Sequence, residues 1–349
     1  MTQPRVTVLM AVCNGAAYLP EALESLEVQT LADFELLVVE DGSTDATPDI
    51  LRRQAQRDPR LRILTNPGNL GLTRSLNLGL EQARGEFVAR QDADDRSRPD
   101  RLARQCAFLE RHPEVGLVGG ECAYLDPAGR PRPKHDPAPA TEDLTIRWLA
   151  LFDNPFYHST MMFRRSLVTG QGLRYNPELF CAQDFDLWSR MLDCTQGANL
   201  DPAQPLVDYR IHPQSVTARH REAQRAIALA VSRTRLTALW PENLWSREEI
   251  LALRRLVSFG CTAFGPPEQA RGRILLELLE RLLAAHPDAA PAQRRSLRRR
   301  VLGQLLGLVP AAAWARPGAG SSLVAAVARR DPVTTLIHLG ERLRHRLRP

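Results

Sequence analysis

The apolar positions of this chain fall into two regimes. Up to about residue 213 they form short runs that alternate with amphipathic stretches; beyond about residue 215 only helical spacing remains. Residues 5–12 are almost continuously apolar, as expected of a central parallel strand covered on both faces. Residues 19–29 carry apolar side chains at 19, 22, 23 and 26, one face of a helix. The same reading gives strands at 34–39, 61–64 and 86–90 and helices at 45–57 and about 72–83, the last stopped by Gly85 as a C′ glycine. Strand–helix–strand alternation at this spacing means βαβ units, hence an α/β, Rossmann-like, mostly parallel sheet flanked by helices. A helix at 99–111, strands at 115–119 and 123–125, a Pro- and Gly-rich loop at 126–140, a helix at 142–152, a strand at 157–163, a helix at 183–192 and a strand at 206–211 follow. After these come helices at 218–239, 246–260, 267–285 and 291–308, a small-residue linker at 310–322 and two short Arg-rich helices. The expected organisation is an α/β domain over 1–217 and an α-helical extension over 218–349.

Composition narrows the class. With 44% hydrophobic and 25% charged residues the chain is an ordinary globular protein, and no apolar run approaches the ~18 residues of a membrane span. The first apolar run breaks at Asn14-Gly15, as a strand does and a signal peptide does not. Six cysteines without a C-x-x-C pair read as cytosolic thiols. The net charge of +6 is uneven: from Ala290 onward there are 12 Arg against 2 acidic residues, so the body is mildly acidic and the tail basic. The tail is read as a solvated helical appendage or as a peripheral contact with an anionic inner membrane, helped by a stripe of Leu336, Leu339, Leu343 and Leu347; no nucleic-acid partner is expected.

The chemistry concentrates in Gln91-Asp92-Ala93-Asp94-Asp95, where the 86–90 strand ends. Three carboxylates within four residues repel one another unless a cation sits among them. In an extended segment Asp92 and Asp94 point to the same face, so both can address one Mn²⁺ or Mg²⁺, ions that share their shell with substrate phosphates. Asp95 reads equally well as the start of a helix cap. Glu40-Asp41 ends the second strand, and in open α/β sheets ligands bind at such carboxyl ends. Asp41 suits an N–H of a base such as uracil, or a ribose; the bland reading is a turn with a helix cap. The chain has no G-x-G-x-x-G after its first strand and no Walker A loop, so phosphate charge has to be met by metal.

These stretches resemble the family 2 glycosyltransferases of GT-A fold. The matches are VTVLMAVCNGAAYLPEALESLEVQT, FELLVVEDGSTDAT, NLGLTRSLNLGLEQARGEFVARQDADD, NPFYHSTMMFRR, AQDFDLWSR and YRIHPQSVT, in the family's order over roughly residues 4–217. ARQDADD resembles the subgroup that builds bacterial surface polysaccharides. The resemblance implies inverting, metal-dependent transfer from a nucleotide sugar, UDP-linked by preference, to a glycan or lipid-linked acceptor. It implies that Ala11, Asn14, Asp41 and Asp92 line the nucleotide-sugar site, that Asp94 and His212 reach the metal, and that Asp184 is the general base, which the dipole of its helix would keep ionised. Where many relatives have Glu-Asp, this chain has Gln183-Asp184, and Leu76 stands where many have an arginine. The diphosphate contact then falls to Arg74 or Arg90. His158, Gln183 and Trp188 are carried over to the acceptor side, against the plainer reading of His158 and Trp188 as structural. A cytoplasmic enzyme at the inner face of the membrane is expected. Two other readings compete: a pyrophosphorylase, which would need a Gly-rich N-terminal loop, and a catalytically impaired binding module that works through its basic tail.

Overall fold

The computed structural model describes residues 3–259, 266–308 and 319–331. The chain divides into two compact units: 1–143 with 154–228, and 144–153 with 229–349. The segment 144–153, expected within the α/β domain, thus belongs to the helical unit. The Arg342–Arg348 tail and its leucine stripe lie outside the described residues, as does most of the expected 310–322 linker; its last residues fall in a helix over Ala319–Arg330.

The first unit is built on a seven-stranded mixed sheet. In chain order its strands are β1 (Val6–Val12), β2 (Phe34–Glu40), β3 (Leu61–Thr65), β4 (Phe87–Arg90), β6 (Val115–Gly119), β9 (Met162–Arg164) and β10 (Gln196–Asn199). Their order across the sheet is β10-β6-β9-β4-β1-β2-β3. Parallel pairing joins β1 to β2 and β4, β2 to β3, and β6 to β10; β9 alone runs antiparallel, between β4 and β6. A four-stranded sheet stands beside it, ordered β5 (Arg96–Ser97), β11 (Val207–Arg210), β7 (Cys122–Leu125), β8 (Pro131–Arg132).

Every residue of β1 is buried. Val6, Val8, Met10 and Val12 join one core cluster with Phe34, Leu36 and Val38 and with Leu19, Leu23 and Leu26 of α1 (Leu19–Glu27), as period-two alternation requires. On the opposite face, α3 (Leu72–Gln82) comes close to β1 at Gly79. Glu35, a buried charge of β2, accepts from the Thr7 hydroxyl at 2.6 Å, Arg62 at 2.6 Å and the Arg84 amide at 2.8 Å, so its desolvation is offset.

Two expectations fail locally. Residues 157–163 are not one strand: His158–Thr160 form a 3₁₀ turn and the strand begins at Met162. Gly85 is not a left-handed cap; its backbone passes so close to β1 that an added Cβ would lie 2.3 Å from the Thr7 nitrogen and 2.6 Å from the Val6 carbonyl carbon. Glycine is needed there for approach, not for φ.

Among the described residues the second unit is built of helices and has its own core, so it is more than a solvated appendage. Leu144, Trp148 and Phe152 pack with Leu236, Leu253, Leu278, Leu279, Leu297, Leu302 and Val327. The Ser232 hydroxyl donates to the Phe152 carbonyl at 3.0 Å, and Arg254 pairs with Asp153. No helix among the described residues is long and apolar enough to cross a membrane.

Because the clash at Gly85 is with backbone, Gly85→Ala should destabilise the first unit by about 3 kcal/mol or more, read as a lower urea midpoint at unchanged slope.

Candidate active site

The acidic loop leaves β4 at the carboxyl edge of the sheet and is held from four directions. Beneath it, Arg90 is 1% exposed. Its guanidinium pairs with Asp92 and donates to the Gln91 carbonyl, to the Leu9 carbonyl at 3.3 Å and to His158 Nε2 at 3.2 Å. The buried Arg101 donates to the Arg90 carbonyl at 2.6 Å and to Gln91 Oε1 at 2.9 Å; burial pulls its pKa down to about 10. From the side, the Ser159 hydroxyl lies between two carboxylates, 2.6 Å from Asp92 Oδ2 and in short contact with Asp95 Oδ2. One hydroxyl proton cannot serve both. Burial, with the charges of Asp94 and Asp92, pushes the Asp95 carboxyl well above the usual range. Burial acts on Asp92 too, but Arg90, with His158 and the Ser159 hydroxyl, outweighs it and its pKa is lowered. Of the two, Asp95 is therefore the one more readily protonated.

From the second sheet, the amide of Arg210 donates to Asp95 Oδ1 at 2.8 Å and its Nε to the Asp94 carbonyl at 3.0 Å. Arg210 is itself buried, paired with Glu21 at 2.6 Å and stacked on Tyr18 at 4.6 Å. Asp95 is thus a tether between sheets; it caps no helix, since α4 runs Arg101–Arg111 with Asp100 before it. Two residues past β11, His212 donates from Nε2 to Asp94 Oδ2 at 2.8 Å. That bond raises the His212 pKa, against burial.

Among the described residues no three His, Cys, Asp or Glu side chains form a ready-made metal cage. The donor set still fits the expected ion. Asp94, 31% exposed, and His212 stand side by side and would offer a carboxylate oxygen and, once a cation displaces the Nε2 proton, an imidazole nitrogen. Few protein ligands are usual where substrate phosphates complete the shell.

The residues expected on the nucleotide side lie at the ends of β1 and β2. Asn14 adopts a left-handed φ of 54°; its amide donates to Ser43 Oγ at 2.9 Å and its Oδ1 accepts from the Thr44 amide at 2.8 Å, which locks the two loops together. Ala11, nearly buried, pairs in register with Val39. Asp41 is spent on local structure: it accepts from Asn66 Nδ2 at 2.7 Å, the Leu70 amide at 2.8 Å and the Gly71 amide at 2.9 Å. Only Oδ2, with a single donor, keeps a lone pair for a ligand. Of the two arginines expected at the diphosphate, Arg90 is buried and committed, which corrects that expectation. Arg74 is exposed and makes no ion pair among the described residues.

On the acceptor side, α7 (Gln183–Cys194) starts after Ala182, whose φ is 51°. Strain of this kind in a non-glycine residue gathers at functional sites. Burial raises the Asp184 pKa to about 6, against hydrogen bonds from the Phe185 and Asp184 amides and from Asn154 Nδ2 at 2.8 Å, with Asp92 adding to the rise. The helix dipole, expected to keep this carboxylate acidic, is outweighed. Gln183 is 4% exposed and its Oε1 has no hydrogen-bond partner. Trp188 is fully buried against Phe163, Tyr175 and His158, so it has no face to offer a sugar and its expected place on the acceptor side is corrected. His158 accepts from Arg90 and from the Tyr175 hydroxyl at 2.9 Å; burial and Arg90 lower its pKa to about 3, so it is a neutral acceptor and no acid–base group. Asn154, Ser159 and Arg210 carry no role expected from sequence, although all three lie inside the stretches that resemble the family.

A mixed sheet flanked by helices, with an acidic loop at its carboxyl edge, is the GT-A architecture. Solved structures agree: TarS of S. aureus in complex with UDP-GlcNAc (TM-score 0.54, 20% identity, 88% of this chain and 82% of that one) and the mannosyltransferase PcManGT of Pyrobaculum calidifontis in complex with GDP-Man and Mn²⁺ (TM-score 0.51, 21% identity, 98% and 88%). The Glycosyl transferase family 2 profile matches residues 7–170. EpsE of Bacillus subtilis (strain 168), described as a candidate glycosyltransferase, is 32% identical over 231 residues, 65% of this chain and 80% of that protein. The chain belongs to glycosyltransferase family 2, whose members are glycosyl-transferring enzymes of class EC 2.4.

The arginines separate by their environments. Arg90→Met strands Asp92 and should cost about 3–5 kcal/mol of stability, whereas Arg74→Ala should stay within about 0.5 kcal/mol, both by chemical denaturation.

Proposed function

We propose that the protein transfers a sugar from a nucleoside-diphosphate sugar, UDP-linked, to a hydroxyl of a growing surface glycan or lipid-linked acceptor, in one inverting displacement. Residues 1–217 carry the reaction, which takes place in the cytoplasm at the inner face of the membrane. What supports this most is the gathering in one unit of Asp41, the Asp92–Asp94 loop with His212, and a separate carboxylate, Asp184, whose proton affinity has been moved toward neutrality.

Each residue then has a task. Ala11 and Asn14 shape the wall of the nucleotide site. Asp41 accepts an N–H of the base through its spare Oδ2 lone pair. Asp92, kept ionised by Arg90, holds the ribose. Asp94 and His212 hold Mn²⁺ or Mg²⁺. When bound, that ion supplies the positive charge that neutralises the departing diphosphate. Arg74 adds a cationic contact on the same side. Asp184 removes the proton of the attacking hydroxyl; with a pKa of about 6 it is ionised in roughly nine molecules of ten at pH 7, yet basic enough to pull on that proton.

Two outcomes are expected. In a panel of nucleotide sugars with and without Mn²⁺, one donor should be hydrolysed slowly and only with metal, and Asp94→Ala should abolish this; equal hydrolysis by the variant counts against the site. A base works only when ionised, so kcat/KM should fall about tenfold per pH unit below about pH 6 and level off above it. A profile flat down to about pH 4.5 would remove Asp184 from the role.

A further inference from the structure

One loop, residues 154–160, touches both halves of the site. At its first residue, Asn154 Oδ1 accepts from the Phe156 amide at 3.2 Å. This fixes the orientation of the side-chain amide, so Nδ2 is the atom that meets Asp184 Oδ2, at 2.8 Å. Near its other end, Ser159, 1% exposed, bonds Asp92 and Asp95. The span between them is pinned. Thr160 donates through both its amide (3.0 Å) and its hydroxyl (2.8 Å) to the Tyr157 carbonyl, its own carbonyl accepts from Gln105 at 2.7 Å, and Asn199 Nδ2 reaches the Pro155 carbonyl at 3.5 Å. A rigid segment with one polar side chain on each carboxylate fixes the position of one relative to the other.

We infer that Asn154 and Ser159 are positioning residues at the two ends of one strap, Asn154 aiming the Asp184 carboxylate at the acceptor and Ser159 setting the Asp92 carboxylate for the donor. This rests on the roles of Asp184 and Asp92 given above. The chemistry differs at the two ends, and so do the consequences. A hydrogen bond to an ionised carboxylate favours that form, so loss of the Asn154 donor makes Asp184 harder to ionise. Loss of the Ser159 hydroxyl removes no bond to Asp184 and frees Asp92 to swing.

The test uses the full chain, with thermal unfolding to confirm that each variant is folded. Asn154→Ala should lower kcat by about 10- to 100-fold, the worth of a hydrogen bond to a charged group. It should also move the acidic limb of the pH profile upward from about 6, while the affinity for UDP with Mn²⁺, by calorimetry, stays within about twofold. If Asn154→Ala does not fold, Asn154→Asp keeps the volume and must move the limb further up, since a second carboxylate then faces the first. Ser159→Ala should weaken UDP–Mn²⁺ binding by about tenfold without moving the limb, and Ser159→Thr, which keeps the hydroxyl, should restore it. An unmoved limb in the Asn154 variants, or unchanged nucleotide binding in Ser159→Ala, overturns the strap. Asp184→Asn separates this from the parent reading: if it still transfers sugar, the base assignment itself has failed; if it is dead while the strap variants behave as wild type, only the strap has.

Discussion

The first unit depends on a repulsion that has to be contained. Asp92, Asp94 and Asp95 lie within four residues at the end of a buried strand, and nothing in the loop itself offsets their charge. The compensation is brought from far along the chain. Arg90 pairs with Asp92 from below, Ser159 bonds Asp92 and Asp95, the Arg210 amide meets Asp95, and His212 meets Asp94. Arg210 is in turn held by Glu21 and Tyr18 of the first helical region. The acidic loop is thus where the first sheet, the second sheet and the 154–160 segment are tied together. Without that tertiary structure it would not hold its shape.

Containment also sorts the carboxylates. Asp95, its proton affinity raised by burial, becomes part of the scaffold; Asp92 is held ionised with the help of Arg90; Asp94 keeps an exposed edge beside an imidazole. Asp184, on another element, is moved the opposite way by burial. Pushing titratable groups in opposite directions is how one site obtains both a fixed anion and a working base at neutral pH. The proposed reaction needs that pair: a permanent negative site for metal and ribose, and a carboxylate able to accept a proton.

Much of this was legible in the chain. Continuous apolar runs gave the parallel strands, and the Asp-x-Asp at a strand end gave the centre of the site, because both are local patterns. What stayed hidden was set by burial and long-range contact. Arg90 and Arg74 look alike in sequence; only the fold reveals that one is enclosed and the other exposed. Trp188 and His158 sat in the right motifs but face the core. Gly85 reads as a helix cap and is in fact a close approach to β1. At Asp184 the pull of the helix N-terminus is local and readable, whereas the larger effect, desolvation, is set by the fold. The hydrophobic core that residues 144–153 share with the later helices could not be read from periodicity, since each helix alone looks amphipathic.

The central claim is that Asp184 acts once, as a base, in a single displacement at the anomeric carbon. Time-resolved proton NMR of turnover, reading the first-formed product anomer before it equilibrates, tests this most directly. An α-linked donor should give the β product first. An α product first would mean two displacements or a different geometry of attack, and the assignment of Asp184 as the sole base would fall with it.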